Sequence, residues 1–239
     1  MVPCLDMVNH AGVHANAYYD ETSQDEVALL LRADTTISSG DEVTISYGDS
    51  KSAAEMLFSY GFIDSTPSPT TSQTLVIPLN PFPDDPLAKA KLVAFKETPK
   101  VHITLDENNT IWNSPFAYLM CVNEEDGLDF RVLQDNEGNR QLRVFWLEED
   151  VTDRTKDFET LIQNHPTLKE ILRLRAVSVV QQCLQEQLEK LASNSALDSM
   201  TAGDFPLVRE ECFHSALLLR GVEAEILESA VEALEEEVS

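Results

Sequence analysis

Basic residues are scarce in this sequence of 239 residues, which has 17 Lys and Arg against 42 Asp and Glu and a formal net charge of -25. A surface with so little positive charge should repel nucleic acids and anionic membranes, and it should attract basic proteins. We therefore predict no nucleic-acid or membrane partner. Acidity also serves solubility in general, so by itself it indicates no particular function.

The sequence also lacks the features of membrane and secreted proteins. No apolar run approaches the roughly 18 residues that a membrane-spanning helix needs, and no basic stretch precedes an apolar one at the N-terminus, as it does in a signal peptide. Four cysteines, Cys4, Cys121, Cys183 and Cys212, form no CxxC pair. They predict neither a disulfide framework nor a zinc site, so we expect an intracellular protein of the cytoplasm or the nucleus.

The eight glycines form none of the glycine motifs that hold phosphates or a nucleophile. There is no GxGxxG, no GxxxxGK[ST] and no GxSxG. His10 and His14 have a spacing that places two metal ligands on one helical face. However, Gly12 lies between them and no Glu follows His10. The HExxH pattern is therefore not met, and we predict no metal site.

Local patterns predict both strands and helices before residue 63. Short stretches rich in Val, Ile, Thr and Tyr predict strands over residues 27–33 and 42–47. A helix is predicted over residues 52–60, because Ser52 and Glu55 have the spacing of a capping box. Gly61 follows at the position where a helix end favours positive φ.

The stretch DSTPSPTTSQ, residues 64–73, is rich in Ser, Thr and Pro and predicts a linker. After it, short strands are predicted at TLVIPL and VHITL, short helices at DDPLAKAKLVAFK and SPFAYLMCV, and a β-hairpin at FRVLQ-DNEGN-RQLRVFW. Beyond residue 150 two apolar stripes, Leu168 to Leu191 and Val222 to Leu234, predict helices. The pattern as a whole favours an α+β chain whose second part is mostly helical.

Three stretches before residue 63 carry the residues of chemical interest. They are DMVNH with Asn9 and His10, GDEVTISYG with Tyr47, and SYGF with Tyr60 and Phe62. An Asn-His pair can hold an adenine edge or a carboxylate, and a tyrosine hydroxyl at a strand end can orient an amine. On spacing alone, a core histidine and ordinary tyrosines are the better explanation.

In this order the stretches resemble the C-terminal half of a SET domain. D-x-x-NH, then G-[DE]-E-x-x-x-x-YG, then E-x-x-x-x-YGF is similar in particular to the Rubisco large-subunit methyltransferase-like branch of protein lysine methyltransferases. The stretches TLVIPLNPFPDDPLAKAKL and ALLLRGVEAEILESAVEAL carry a weaker resemblance to the C-terminal substrate-binding domain of that branch. The resemblance implies a partial, β-rich SET domain with its pseudoknot region over residues 1–66, followed by a mostly α-helical domain over residues 73–239.

The same resemblance implies an activity and a set of site residues. SET enzymes transfer a methyl group from S-adenosyl-L-methionine to a lysine amine of a protein substrate, which we expect to be basic here. Tyr47 matches the catalytic tyrosine. Asn9 and His10 match the pair that contacts the cofactor, and Tyr60 and Phe62 match residues that line the same site.

The match also leaves alternatives open. A complete SET domain of this branch begins upstream with a GxG turn, which this sequence does not contain. We therefore expect weak or absent methyltransferase activity, whether the sequence is a truncated gene model or isoform, a short paralogue, or one part of a two-chain protein. A non-catalytic module that binds a basic protein, and a protein-histidine methyltransferase, are the alternative functions. The sequence identifies neither the substrate protein nor the oligomeric state.

Overall fold

The computed structural model describes residues 5–21, 26–48, 51–63, 73–106, 109–134, 138–193, 200–204 and 207–238. The chain divides into two compact units. The first unit consists of Met1–Thr74 with Asp106–Asn109, and the second of Leu75–Leu105 with Thr110–Ser239. Of the predicted linker, residues 64–72 lie outside the described residues.

The first unit contains two small sheets, each of two strands. Strands β1 (Asn9–His10) and β4 (Thr44–Ile45) pair in parallel, whereas β2 (Ala17–Glu21) and β3 (Val27–Leu31) form an antiparallel pair. The observed strands lie within the predicted stretches 27–33 and 42–47 but are shorter than predicted. Thus β3 pairs with the strand before it, and β4 pairs with a segment 35 residues earlier, at the NH motif.

Helix α1 (Ala53–Tyr60) begins and ends as its sequence predicts. The Glu55 N–H donates to Ser52 Oγ at 3.1 Å, and the Ser52 N–H donates to Glu55 Oε2 at 3.0 Å, which completes a capping box. Gly61 ends the helix with φ of +82°, a left-handed conformation that is strained for residues with a Cβ. The turn at Gly61 thus separates Tyr60, the last residue of the helix, from Phe62.

Among the described residues, two three-stranded sheets belong to the second unit, apart from Gln73 and Thr74 at the start of the first of these strands. Strands β5 (Gln73–Pro78), β6 (Lys100–Leu105) and β7 (Thr110–Asn113) form one sheet in that order. Strands β8 (Leu128–Gln134), β9 (Arg140–Trp146) and β10 (Glu149–Asp150) form the other as an antiparallel meander. The predicted hairpin is therefore present, with Leu128 opposite Trp146 and Gln134 opposite Arg140.

Helices make up most of the regular structure of the second unit. They are α2 (Ala88–Phe95), α3 (Pro115–Cys121), α4 (Phe158–Gln163), α5 (Lys169–Ser193) and α6 (Glu210–Val238). The two predicted stripes lie on α5 and α6, whose buried side chains pack into one apolar core with those of α3 and the sheets. The mixture of helices and small sheets confirms the predicted α+β class. Within the described residues, no helix is long and apolar enough to cross a membrane.

Candidate active site

The parallel pairing of β1 with β4 brings two of the sequence motifs together. His10 lies opposite Ile45, and the Ala11 N–H donates to the Ile45 carbonyl at 3.1 Å. Two residues after Ile45, the Tyr47 N–H donates to His10 Nδ1 at 3.1 Å. Because Nδ1 accepts this proton, the histidine presents its other ring nitrogen as a donor when it is neutral.

Four side chains from the three motifs form one aromatic cluster, which consists of His10, Tyr47, Tyr60 and Phe62. The centroid of the Tyr47 ring lies 4.5 Å from that of Tyr60, 5.2 Å from that of His10 and 6.4 Å from that of Phe62. Phe62 also lies 5.6 Å from His10 and 6.3 Å from Tyr60. Such separations are typical of aromatic rings in favourable contact.

The hydroxyl of Tyr47 has a defined direction in this cluster. It donates its proton to the Val8 carbonyl at 2.8 Å. A hydroxyl has one proton and two lone pairs, so the remaining capacity of this oxygen is to accept a hydrogen bond. The geometry thus makes Tyr47 an acceptor that can orient an amine.

Gly48, directly after Tyr47, lies close to the side chain of Lys51. Gly48 has φ of +135°, and a Cβ on it would lie 2.8 Å from Lys51 Nζ. That Nζ donates to the Tyr47 carbonyl at 2.7 Å. The absence of a side chain at residue 48 therefore leaves room for the bond that holds the backbone of the tyrosine from its C-terminal side.

Asn9 directly precedes His10 on β1, and its side chain is bonded to a residue that the motif analysis does not single out. Its Nδ2 donates to Glu42 Oε1 at 2.5 Å. The Glu42 carbonyl in turn accepts from Asn16 Nδ2 at 2.9 Å, and Asn16 Oδ1 accepts from the Thr44 N–H at 2.9 Å. Glu42 is the second acidic residue of the GDE motif, so its place in that motif is the signal that identifies it.

Neither Asn16 nor His14 belongs to the aromatic cluster. Both hydrogen bonds of the Asn16 side chain go to the backbone around β4, where they tie the entry of β2 to that strand. His14 is exposed, in a single 3-10 turn, Gly12–His14. In the part of the chain that the structure describes, no group of three or more His, Cys, Asp or Glu residues could hold a metal ion.

Tyr19, like Tyr47, bonds through its hydroxyl to a backbone carbonyl of this unit. It donates to the Leu5 carbonyl. Partial burial raises the pKa of the Tyr19 phenol, and the neighbouring Asp6 and Tyr47 raise that pKa further. The phenol therefore stays neutral at physiological pH and acts through its hydrogen bond.

The arrangement suits binding and orientation rather than acid-base work. Aromatic faces attract cations and stack on planar rings, and Tyr60 keeps 43% of its surface exposed to such a ligand. His10 and the Tyr47 oxygen supply polar groups within the cluster. Sequence analysis names these three residues together with Phe62 and Asn9. The structure brings the rings of His10, Tyr47, Tyr60 and Phe62 together, whereas the side chain of Asn9 bonds to Glu42.

Comparisons with known proteins point to one family. Residues 1–80 match the family model described as Cytochrome c lysine N-methyltransferase 1. The protein of that name from Saccharomyces cerevisiae is 38% identical over 66 residues, which are 26% of this chain and 11% of that protein. SET domain-containing protein 8 of Schizosaccharomyces pombe is 29% identical over 241 residues, which are 97% of this chain and 53% of that protein. The chain thus spans about half the length of the relative that it matches throughout.

Two solved structures share the fold. Rubisco LSMT bound to AdoMet aligns with the whole chain at a TM-score of 0.56 and 17% identity, and the chain covers 50% of it. The SET domain of LSMT bound to MeLysine and AdoHcy aligns at a TM-score of 0.52 and 17% identity, again with 50% covered. These findings confirm the resemblance to SET-type protein lysine methyltransferases.

Proposed function

We propose that this protein is an S-adenosyl-L-methionine-dependent protein-lysine N-methyltransferase of the SET type. The observation that carries the proposal is the aromatic cluster. It joins residues of three motifs that are far apart in sequence around the oriented hydroxyl of Tyr47. The similarity of residues 1–80 to a lysine methyltransferase family supports the same activity.

The residues of the site fit this cofactor in chemical type. When bound, S-adenosyl-L-methionine supplies an electrophilic methyl group on a positively charged sulfur. Tyr60 and Phe62 offer ring faces for a cation and for a purine ring, and the Tyr60 ring is partly exposed. Asn9 and His10 offer amide and imidazole groups that can bond to an adenine edge or a carboxylate. We assign these four residues to cofactor binding.

We assign the catalytic role to Tyr47, which orients the substrate amine. A lysine must be neutral to act as a nucleophile, and surroundings that exclude water lower its pKa because they disfavour the ammonium form. The Tyr47 oxygen, whose proton is donated to Val8, accepts a hydrogen bond from the amine and thereby directs its lone pair. The surrounding rings tolerate the cationic methylated product through cation–π attraction.

We further propose a role for each part of the chain and a class of substrate. Residues 1–66 form the SET portion with the site, and residues 73–239 form a mostly helical substrate-binding domain. The net charge of -25 supports a basic protein as the substrate. Because the 239 residues contain no GxG, we propose that their own transfer activity is weak.

A single-turnover assay tests this proposal. The chain, in excess over its substrate, is incubated with a mixture of basic proteins and tritiated S-adenosyl-L-methionine. The tritium transferred to protein is counted, so that even weak transfer is detected. Mass spectrometry then identifies the modified residue. Tyr47→Phe should lower the transfer by on the order of 10²-fold, because the orienting acceptor is lost. Tyr18→Phe is the matched control and should retain it, since Tyr18 lies outside the cluster.

Equal transfer by the Tyr47→Phe chain would refute the assignment of that residue. Modification of histidine rather than lysine would support the alternative histidine methyltransferase. A second candidate function, a non-catalytic module that binds a basic protein, is favoured by the charge alone. Binding of such a protein by a chain that shows neither transfer nor cofactor binding would establish it.

A further inference from the structure

Three grooves of the second unit adjoin at one exposed aromatic side chain, Phe82. One groove, of about 430 Å³, runs along α5 beside the segment Ile77–Pro83. A second, of about 520 Å³, lies between the segment Phe82–Leu87 and Asn123–Glu125. A third, of about 450 Å³, lies between the end of α3 and the middle of α5. Since Phe82 lines all three, they form one continuous surface, here called the Phe82 surface.

The floor of the Phe82 surface is apolar and partly uncovered. Met120 and Val179 line it from α3 and α5, and Leu174 lines its third groove. Phe82 keeps 37% of its surface exposed and Leu174 keeps 47%. Two large apolar side chains exposed at one groove favour an apolar side chain of a partner as the ligand.

The rim of the same surface is acidic. Six carboxylates line the three grooves, against two cations, Arg175 and Lys190. Arg175 is bound to Asp126 at 2.7 Å. Within the described residues, no ion pair involves Asp84, Glu124, Glu125 or Glu186, and acidic side chains outnumber basic ones among the residues that line the grooves.

The loop that presents Phe82 is held rigidly. Asp85 donates its N–H to the Phe82 carbonyl at 3.2 Å and accepts the Leu87 N–H on Oδ1 at 2.8 Å. Its Oδ2 binds Lys91 Nζ at 2.7 Å. The loop also contains three prolines, whose fixed φ limits its freedom further. A site held in place before binding loses less entropy on binding.

We propose that the Phe82 surface docks a basic segment of a partner protein, in which an apolar side chain enters beside Phe82 while flanking Lys or Arg residues bind the acidic rim. The complementarity of the negative rim with a basic segment determines this choice of partner. The identification of that partner with the methylation substrate rests on the proposed function, whereas the docking itself does not.

Fluorescence anisotropy tests the docking directly. The probe is a short fluorescein-labelled peptide with one Leu flanked by lysines, and a second peptide carries glutamates in place of the lysines. The chain should bind the lysine peptide, should bind the glutamate peptide far more weakly, and should lose affinity as salt is raised. No binding of the lysine peptide, or equal binding of both peptides, would overturn the proposal.

Matched variants locate the binding on the surface. Glu124→Gln with Glu125→Gln should weaken binding roughly 2- to 10-fold, since two partly screened ion pairs are lost. Phe82→Ala should weaken it about tenfold or more, as expected for a central apolar anchor. Glu232→Gln with Glu236→Gln is the control, because it removes the same charge from an exposed face of α6. Equal weakening by the control pair would show that net charge alone, and not this surface, binds the probe.

The two proposals fail independently. The Tyr47→Phe chain should bind the lysine peptide as tightly as the unaltered chain, because Tyr47 belongs to the aromatic cluster and not to the Phe82 surface. If transfer is lost in that variant and peptide binding persists, both proposals stand. If Glu124→Gln with Glu125→Gln leaves the affinity for the peptide unchanged, the docking surface is refuted, whatever the transfer assay gives.

Discussion

Replacement of Lys91 by Met should destabilise the second unit strongly. The side chain of Lys91 is fully buried, on helix α2. Its Nζ donates to Asp85 Oδ2 at 2.7 Å, to the Met120 carbonyl at 2.9 Å and to Asn123 Oδ1 at 3.2 Å. Three donors thus meet three acceptors, and the group is completely satisfied.

The size of the expected loss in the free energy of unfolding depends on the groups that lose their partner when Lys91 is replaced. Methionine fills a similar volume, so little is lost in packing. The carboxylate of Asp85, only 6% exposed, loses its cation, and the acceptors of Met120 and Asn123 lose a donor. Removal of one partner from a buried ion pair costs about 3–5 kcal/mol. We expect a loss of that size in the free energy of unfolding.

Urea unfolding followed by tryptophan fluorescence measures this loss. Both tryptophans, Trp112 and Trp146, lie in the second unit, so the signal reports on that unit. Lys89→Met, an exposed position on the same helix, is the control and should stay within about 0.5 kcal/mol. Adding Asp85→Asn to Lys91→Met should recover part of the loss, because a neutral amide needs no cation. A loss below about 1 kcal/mol in Lys91→Met would refute this reasoning.

Three further predictions concern other parts of the chain. Burial raises the pKa of the Cys121 thiol to about 12 and also raises that of Cys183, whereas Cys212 is exposed. In a Cys4→Ser chain near pH 8, a thiol reagent should therefore modify Cys212 first and Cys121 only after unfolding; mass spectrometry that finds modified Cys121 in the folded chain would contradict this. Burial raises the pKa of Glu223, so this group contributes stability below its ordinary pKa of about 4.3 that is lost as the pH rises. Glu223→Gln should then stabilise the chain in urea at pH 7, a gain that should vanish in acid, and equal stabilities at pH 7 would count against it. Ser52→Ala removes the cap of α1 and should lower the stability of the helix by about 1 kcal/mol, which is seen as roughly fivefold faster hydrogen exchange of the Glu55 amide. In the control Ser52→Thr, this amide should exchange almost normally. Unchanged exchange in Ser52→Ala would exclude a stabilising cap.

Features fixed by neighbouring residues could be predicted from the sequence. The capping box of Ser52 and Glu55 and the left-handed Gly61 are local, and both are present as predicted. The hairpin of β8 and β9 and the two long helices follow from periodic apolar residues in the same way. The resemblance to the SET family selected four residues whose rings the structure brings into contact.

Features that depend on distant residues could not be predicted in this way. A strand is predicted over residues 42–47, which contain β4, but β1 has only two residues and is not predicted. The pairing of β1 with β4, which joins the NH motif to the segment of Tyr47, is not predicted either. The burial of Lys91 depends on acceptors about 30 residues away in the sequence. The residues of α2 itself therefore do not predict that this lysine is buried. The bond between Asn9 and Glu42 likewise connects two motifs that sequence analysis treats separately.

NMR of tyrosine-labelled protein shows whether the aromatic cluster is the binding site of S-adenosyl-L-methionine. On titration with millimolar cofactor, the ring signals of Tyr47 and Tyr60 should shift with a common saturation curve, even if binding is weak. Tyr118, which is buried in the core of the second unit, is the internal control and should not shift. Signals of Tyr47 and Tyr60 that stay in place, or that shift no more than that of Tyr118, would show that the cofactor does not bind at the aromatic cluster.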